Sequence, residues 1–315
     1  MVHLRIVAPP HSAGRAFELL KGDGSVTNVI HMKGAAIRPA GDVILCDVAR
    51  EDASVIIADL KRLDIPAEGS ITLEYIETQI SEAAERAEKH APGLPSDAVV
   101  WEDVESRTSE DTQLSASFLA FMVVAMQIAA VGILLDQPIL VVGAMVVGPE
   151  FGPLAAFCVA VVELRGKLAK RSLLALAVGF PLGMALALLS TVVFKGTGLV
   201  PDDFAPNDHP LTGFIANPDF LSFFVAVVAG VAGVLSLTSA KSGALIGVLV
   251  SVTTIPAASN VGVAAAFGDW GEAGGALAQL SLNLSAIALA GVTTLYLQRR
   301  LYLSRRREHR RREPR

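Results

Sequence analysis

Before about residue 112 the chain changes between apolar and polar positions every few residues, and after it long apolar runs alternate with short polar ones. The runs are Leu114 to Leu135, Pro138 to Val162, Ser172 to Phe194, Phe220 to Leu237, Ser242 to Phe267 and Gly274 to Leu297. Each is near the roughly 20 residues that cross ~30 Å of hydrocarbon. Because backbone amides cannot go unpaired in lipid, the pattern predicts an all-α domain of six transmembrane helices over residues 114–298.

The first 77 residues carry a different period. Strand-like stretches at Val2 to Ala8, Ser25 to Met32, Asp42 to Val48 and Ile71 to Ile76 alternate with helix-like ones at Pro10 to Leu20 and Glu51 to Leu63. Lys21-Gly22-Asp23-Gly24, Arg38-Pro39-Ala40-Gly41 and Pro66-Ala67-Glu68-Gly69 mark turns between them. This βαββαβ order fits an α+β ferredoxin-like domain. Residues 78–113 are expected to form a helical connector, from the strong helix formers at 79–88 and the acidic stretch from Ser96 to Thr112.

Charge divides the chain in the same places. Residues 1–112 hold 11 Lys/Arg and 20 Asp/Glu, residues 113–298 hold 6 and 9, and residues 299–315 hold 9 and 2. Arg165, Lys167, Lys170 and Arg171 follow span two, Lys241 follows span four, and nine Arg follow span six. Residues 196–219 and 268–273 have no Lys or Arg. The positive-inside rule then places both termini in the cytoplasm, with Lys195 the one dissenting charge. With no long apolar run behind Met1, no cleavable signal peptide is expected. Cys46 and Cys158 are the only cysteines, which argues against a disulfide framework, and the six histidines lie outside the apolar runs.

The second run of each set of three is interrupted, at Gly148-Pro149-Glu150-Phe151-Gly152-Pro153 and at Thr253-Thr254-Ile255-Pro256-Ala257-Ala258-Ser259-Asn260. With three spans per half, the halves (about 114–195 and 220–298) cross in opposite senses, which predicts 3+3 inverted repeats with broken second helices, the arrangement that marks a midplane solute site. Pro149, Pro153 and Pro256 are expected to free backbone groups there. Glu150 is an ionisable group at membrane depth, and its charged form costs several kcal/mol unless it is partnered or wet. It is expected to bind a cation or carry a proton, or else to cap the half-helix that starts at Phe151.

Gly148, Pro149 and Glu150 at one break, Thr254, Pro256, Ser259 and Asn260 with Thr253 at the other, and Gln127, Gln279 and Asn283 from spans one and six form the expected solute lining. Singly, small hydroxyl and amide residues also stitch membrane helices together. Gly143, Gly179, Gly183, Gly230, Gly233 and Gly291 are expected to let helices approach closely. No Walker loop, Gly-x-Ser-x-Gly or His/Glu metal motif is present, so no enzyme activity, metal or cofactor is expected. The Arg-rich tail at 299–315 reads as a cytoplasmic topology anchor rather than a nucleic-acid site.

The ferredoxin-like part, the stretch Leu140 to Pro153 (LVVGAMVVGPEFGP), and Thr254-Ile255-Pro256-Ala257-Ala258-Ser259-Asn260 leading to Gly268-Asp269-Trp270 together resemble the DUF389 family of bacterial membrane proteins. The resemblance implies the same architecture in a bacterial inner membrane. This chain departs from the family pattern at Glu150, where a second apolar residue is usual, and at Pro256-Ala257, where a double proline is common. The expectation from all this is a transporter or channel for a small ion or polar solute, with a cytoplasmic sensor domain that takes a small ligand. The competing expectation is a membrane-anchored sensor or scaffold that transports nothing. Exposed sheet edges and the prevalence of two-fold assemblies favour a homo-oligomer.

Overall fold

The computed structural model describes residues 1–91, 98–200, 211–238 and 253–312. The chain divides into two compact units, one built on Met1–Val104 and the other on Glu105–Leu237 with the helices up to Arg299.

In the first unit, β1 (Val2–Ala8), α1 (Pro10–Gly22), β2 (Val26–Ile37), β3 (Ala40–Val48), α2 (Arg50–Lys61), the single turn α3 (Ile65–Glu68) and β4 (Ser70–Tyr75) follow in that order. The strands form one sheet, β2-β3-β1-β4, with every neighbouring pair antiparallel. Period-two alternation puts Leu4, Ile6, Ile44 and Cys46 on one face, where they close a core with Ala16 and Leu20 of α1 and Ile56 and Leu60 of α2.

β2 runs five residues past Met32, where the sequence suggested an end. A register shift between Met32 and Ala36 absorbs the extra residues, and Gly34 adopts φ 63° so that its N–H reaches Asp42 Oδ1 at 2.8 Å. A glycine inside a strand here marks a bulge rather than a terminus. Two connector helices follow, α4 (Glu82–His90), capped by Ser81 Oγ on the Ala84 N–H at 3.3 Å, and α5 (Trp101–Asp111).

The second unit is helical: α6 (Ala116–Leu134), α7 (Pro138–Val147), α8 (Phe151–Val162), α9 (Gly166–Gly196), a 3-10 turn at Gly213–Ala216, α10 (Phe220–Thr238), α11 (Thr254–Phe267) and α12 (Trp270–Arg312). Among the described residues four helices are long and apolar enough to cross a bilayer, namely α6, α9, α10 and the Trp270–Tyr302 part of α12. The pair α7 and α8, bent by 51° at its break, makes a fifth if it counts as one span. Span five of the six expected is described only from Thr253 onward, as α11 of 14 residues, and its first half lies outside the described residues.

Spans three and six are longer than hydropathy indicates, because α9 continues through Lys167, Lys170 and Arg171, and α12 continues into the basic tail. Lys and Arg are strong helix formers, so they extend a helix that apolarity alone would end.

Small residues set the helix spacing. A Cβ on Gly262 would come within 2.5 Å of the Met184 carbonyl oxygen and 2.8 Å of the Leu188 nitrogen, so α11 and α9 meet backbone to backbone. Gly179 and Gly183 of α9 face Met122 and Met126 of α6, and Gly230 of α10 faces Ile287 of α12. Gly143 differs from that expectation, with nothing within 4 Å of where its Cβ would sit.

Candidate functional site

The break between α7 and α8 follows from Pro149. The residue before a proline is driven out of the helical region, and Gly148 duly turns extended at ψ 130° while its N–H still bonds the Ala144 carbonyl at 3.1 Å. Glu150 then caps α8 by position, and its own carbonyl accepts the Leu154 N–H at 3.3 Å. α11 starts in the same way, with Thr253 before the first turn and its carbonyl bonded to the Ala257 N–H at 3.3 Å.

Pro153 and Pro256 each stand third in their helices, in the turn where N–H groups have no intrahelical acceptor. The sequence suggested that these prolines would free backbone groups within a helix. The structure places them where none is lost, so each helix start holds N–H groups without an intrahelical acceptor and the positive end of its dipole.

These two starts meet. Thr254 Oγ1 donates to Glu150 Oε1 at 2.7 Å across 104 residues of sequence, and both side chains are buried. Glu150 is only 5% exposed, and its Oε2 has no hydrogen-bond partner among the described residues. That oxygen lies over Gly148, where a Cβ would stand 2.4 Å from it and 2.7 Å from Ile255 Cγ1, so a side chain at 148 would displace the carboxylate or Ile255. A buried acceptor without a partner is costly, which makes this oxygen the most distinctive group in the unit.

The other residues singled out in the sequence fall into two groups. Asn283 Nδ2 donates to Thr253 Oγ1 at 3.1 Å, and Gln279 Nε2 donates to Asn283 Oδ1 at 3.3 Å, so α12 is tied to the start of α11. Asn260 lies away from Glu150, two turns along α11 from Thr253, where its Nδ2 donates to Glu272 Oε1 at 2.8 Å. Ser259 spends its hydroxyl on the Met126 carbonyl at 2.7 Å and joins α11 to α6. Pro256 is buried, Pro149 and Gln127 are half-buried, and Gln127 takes part in none of these bonds.

Glu272 is a buried polar residue of this unit that hydropathy missed, since it lies at the polar edge of span six. A signal was present in Asp269-Trp270-Gly271-Glu272, an Asp-x-x-Glu capping pattern in which Asp269 Oδ1 accepts the Glu272 N–H at 2.9 Å. Such a Glu would ordinarily stay near the solvated helix end. Here it is buried and faces Asn260.

The sheet unit has its own polar clusters. Asp47 takes Asn28 Nδ2 at 2.7 Å and Gln79 Nε2 at 2.9 Å, with His3 Nδ1 2.7 Å from its other oxygen. His31 Nε2 lies 2.7 Å from Asp42 Oδ2 and stacks on Phe17 at 4.6 Å between ring centres. The Gly34 N–H first, and His31 second, hold the Asp42 carboxyl below its ordinary value.

Residues 145–289 match the model of DUF389, described as a domain of unknown function. An uncharacterized protein of Methanocaldococcus jannaschii is 25% identical over 210 residues, which is 66% of this chain and 61% of that protein. The resemblance therefore extends to an archaeal sequence, and this chain matches less than two thirds of that relative's length. No solved structure matches the chain. The matched segment, Met145 to Leu289, holds Glu150 and both helix starts, so the candidate site lies within the stretch that is similar to DUF389.

Proposed function

We propose that the helical unit is a transporter or channel for a small ion or polar solute, with its pathway at the starts of α8 and α11. The observation that carries this is the buried Glu150–Thr254 contact between two half-length helices, inside a unit whose outer helices are built to cross a bilayer. Polar groups at membrane depth are expensive and concentrate where solutes or protons move. In this reading six spans form two inverted sets of three in a cytoplasmic membrane, and both termini are cytoplasmic. The ferredoxin-like N-terminal unit is then a sensor whose ligand shifts the helical unit between two conformations.

The test is flux in proteoliposomes across a panel of ions and small metabolites, comparing wild type with Glu150→Gln and Thr254→Val. Loss of Oε1 as a charged acceptor, or of the hydroxyl that meets it, is expected to lower transport by tenfold or more. If nothing on the panel moves, and deletion of residues 1–112 abolishes every cellular effect of the protein, then a membrane-anchored sensor or scaffold is the better account.

A further inference from the structure

The helical unit buries carboxylates and amides but, among the described residues, no Lys or Arg. On α12, Glu272, Gln279 and Asn283 recur at i, i+7 and i+11, one face of a helix, over about 16 Å at 1.5 Å per residue. On α11, Thr253 and Asn260 stand seven residues apart and take up the two ends of that stripe, through Asn283 and Glu272 respectively. Thr254 carries the line on to Glu150. The result is a buried polar file between two carboxylates, Glu272 at the Gly268 end of the α11–α12 hairpin and Glu150 at the opposed helix starts.

Among the described residues, Glu150 Oε2 and Asn260 Oδ1 are buried acceptors with no partner, and so is Gln279 Oε1 when its amide nitrogen donates to Asn283. For Asn260 the orientation is set by charge, because its amide nitrogen must face the Glu272 carboxylate, which leaves the oxygen open. An anion would normally be the choice at two convergent helix N-termini. Here the chain supplies that anion itself as Glu150, and a free anion entering the file would meet two carboxylates and a row of acceptor oxygens.

From these observations we infer that the solute is a small hard cation, either an alkali metal ion or a proton, passed along the oxygens from Glu272 and Asn260 to Glu150. The inference rests on the transport reading above and names its substrate class. Oxygen ligands suit hard cations. Among the described residues no three His, Cys, Asp or Glu side chains gather to hold a metal, so the file offers oxygens in succession rather than one closed cage.

The experiment reconstitutes the full chain in liposomes under sodium, potassium or proton gradients, with choline replacing the cation or gluconate replacing chloride. A trapped pH dye separates proton from alkali-ion movement. The expected result is a reversal potential that follows one of these cations and ignores chloride, with at least tenfold loss in Glu150→Gln and Glu272→Gln and a smaller loss in Gln279→Leu, which removes an acceptor without touching a carboxylate. In detergent, sodium or potassium against choline, or a pH change, should shift the thermal midpoint of wild type but not of Glu150→Gln.

Movement of chloride or a neutral metabolite with no cation flux would overturn the cation assignment and leave transport standing. No flux of any probe would end the transport reading. With no flux, an absent cation-dependent thermal shift would end the cation assignment as well. If Glu150→Gln does not insert, Glu272→Gln and Gln279→Leu carry the same test.

Discussion

The two units are built with opposite polarity. The sheet unit packs Leu4, Ile6, Ile44, Ile56 and Leu60 inside. The helical unit turns large apolar side chains outward, Leu221 at 68% exposure and Leu189 at 56%, and buries Glu150, Asn260, Glu272, Gln279 and Asn283. One chain thus follows two rules of burial, which teaches that the surroundings of each unit differ: water rewards a polar surface, whereas hydrocarbon accepts an apolar one and makes polar groups find partners within the protein. In the sheet unit a buried polar group is a local cost. In the helical unit the buried polar groups pair with one another across α11 and α12 and between the two helix starts.

The sharpest way to break this contrast is to place the same charge on both surfaces. Leu189→Arg, on the outward face of α9, should cost about 3 kcal/mol of membrane insertion and cut the membrane-integrated fraction severely, as read by fractionation. Ile37→Arg, at a site 89% exposed on the sheet unit, should leave insertion and yield unchanged. Equal losses from both, or from neither, would dissolve the distinction between the two surfaces.

Packing gives the next largest effect. Gly262→Ala sets a methyl against α9 backbone atoms that cannot rotate away, and overpacking of this kind costs about 2 kcal/mol. Gly143→Ala meets open space and should cost nothing. Thermal midpoints in detergent decide this, and a midpoint for Gly262→Ala equal to that of Gly143→Ala would mean that the α9–α11 contact is not tight.

The smallest effect lies in the sheet unit, at Glu51 in the first turn of α2, whose two carboxylate oxygens are buried and meet no other side chain's donor among the described residues. Burial, with Glu88 and Asp52 adding repulsion, raises its carboxyl above the ordinary value, against a smaller opposing pull from its own backbone and the Met1 amine. A folded-state value above the unfolded one means that this group favours folding in acid and loses that contribution as pH rises through the folded value. Glu51→Gln should therefore raise the urea midpoint of the sheet unit at pH 8 and change it less at pH 5. A larger gain at the lower pH would reverse the assignment.

Much of this was legible in the residues. The element order of the sheet unit followed from alternation and turn residues, and the α7–α8 break followed from Gly148-Pro149, because a proline acts on the residue beside it. The length of β2 was not legible, since whether Lys33-Gly34 ends a strand or bulges it depends on Asp42 of β3 being there to accept the glycine N–H. Nor was the role of the prolines at 153 and 256, which depends on where each helix starts.

What the sequence determined by itself was which stretches are apolar, where they are interrupted, and which polar residues ride on them, since hydropathy, proline sterics and capping are properties of neighbours in the chain. Tertiary structure alone decided that Glu150 meets Thr254, and that Asn260 turns to Glu272 rather than to Glu150. The reason is physical: a buried hydrogen bond depends on which helix faces are brought together, and residues 104 apart carry no local mark of their partner.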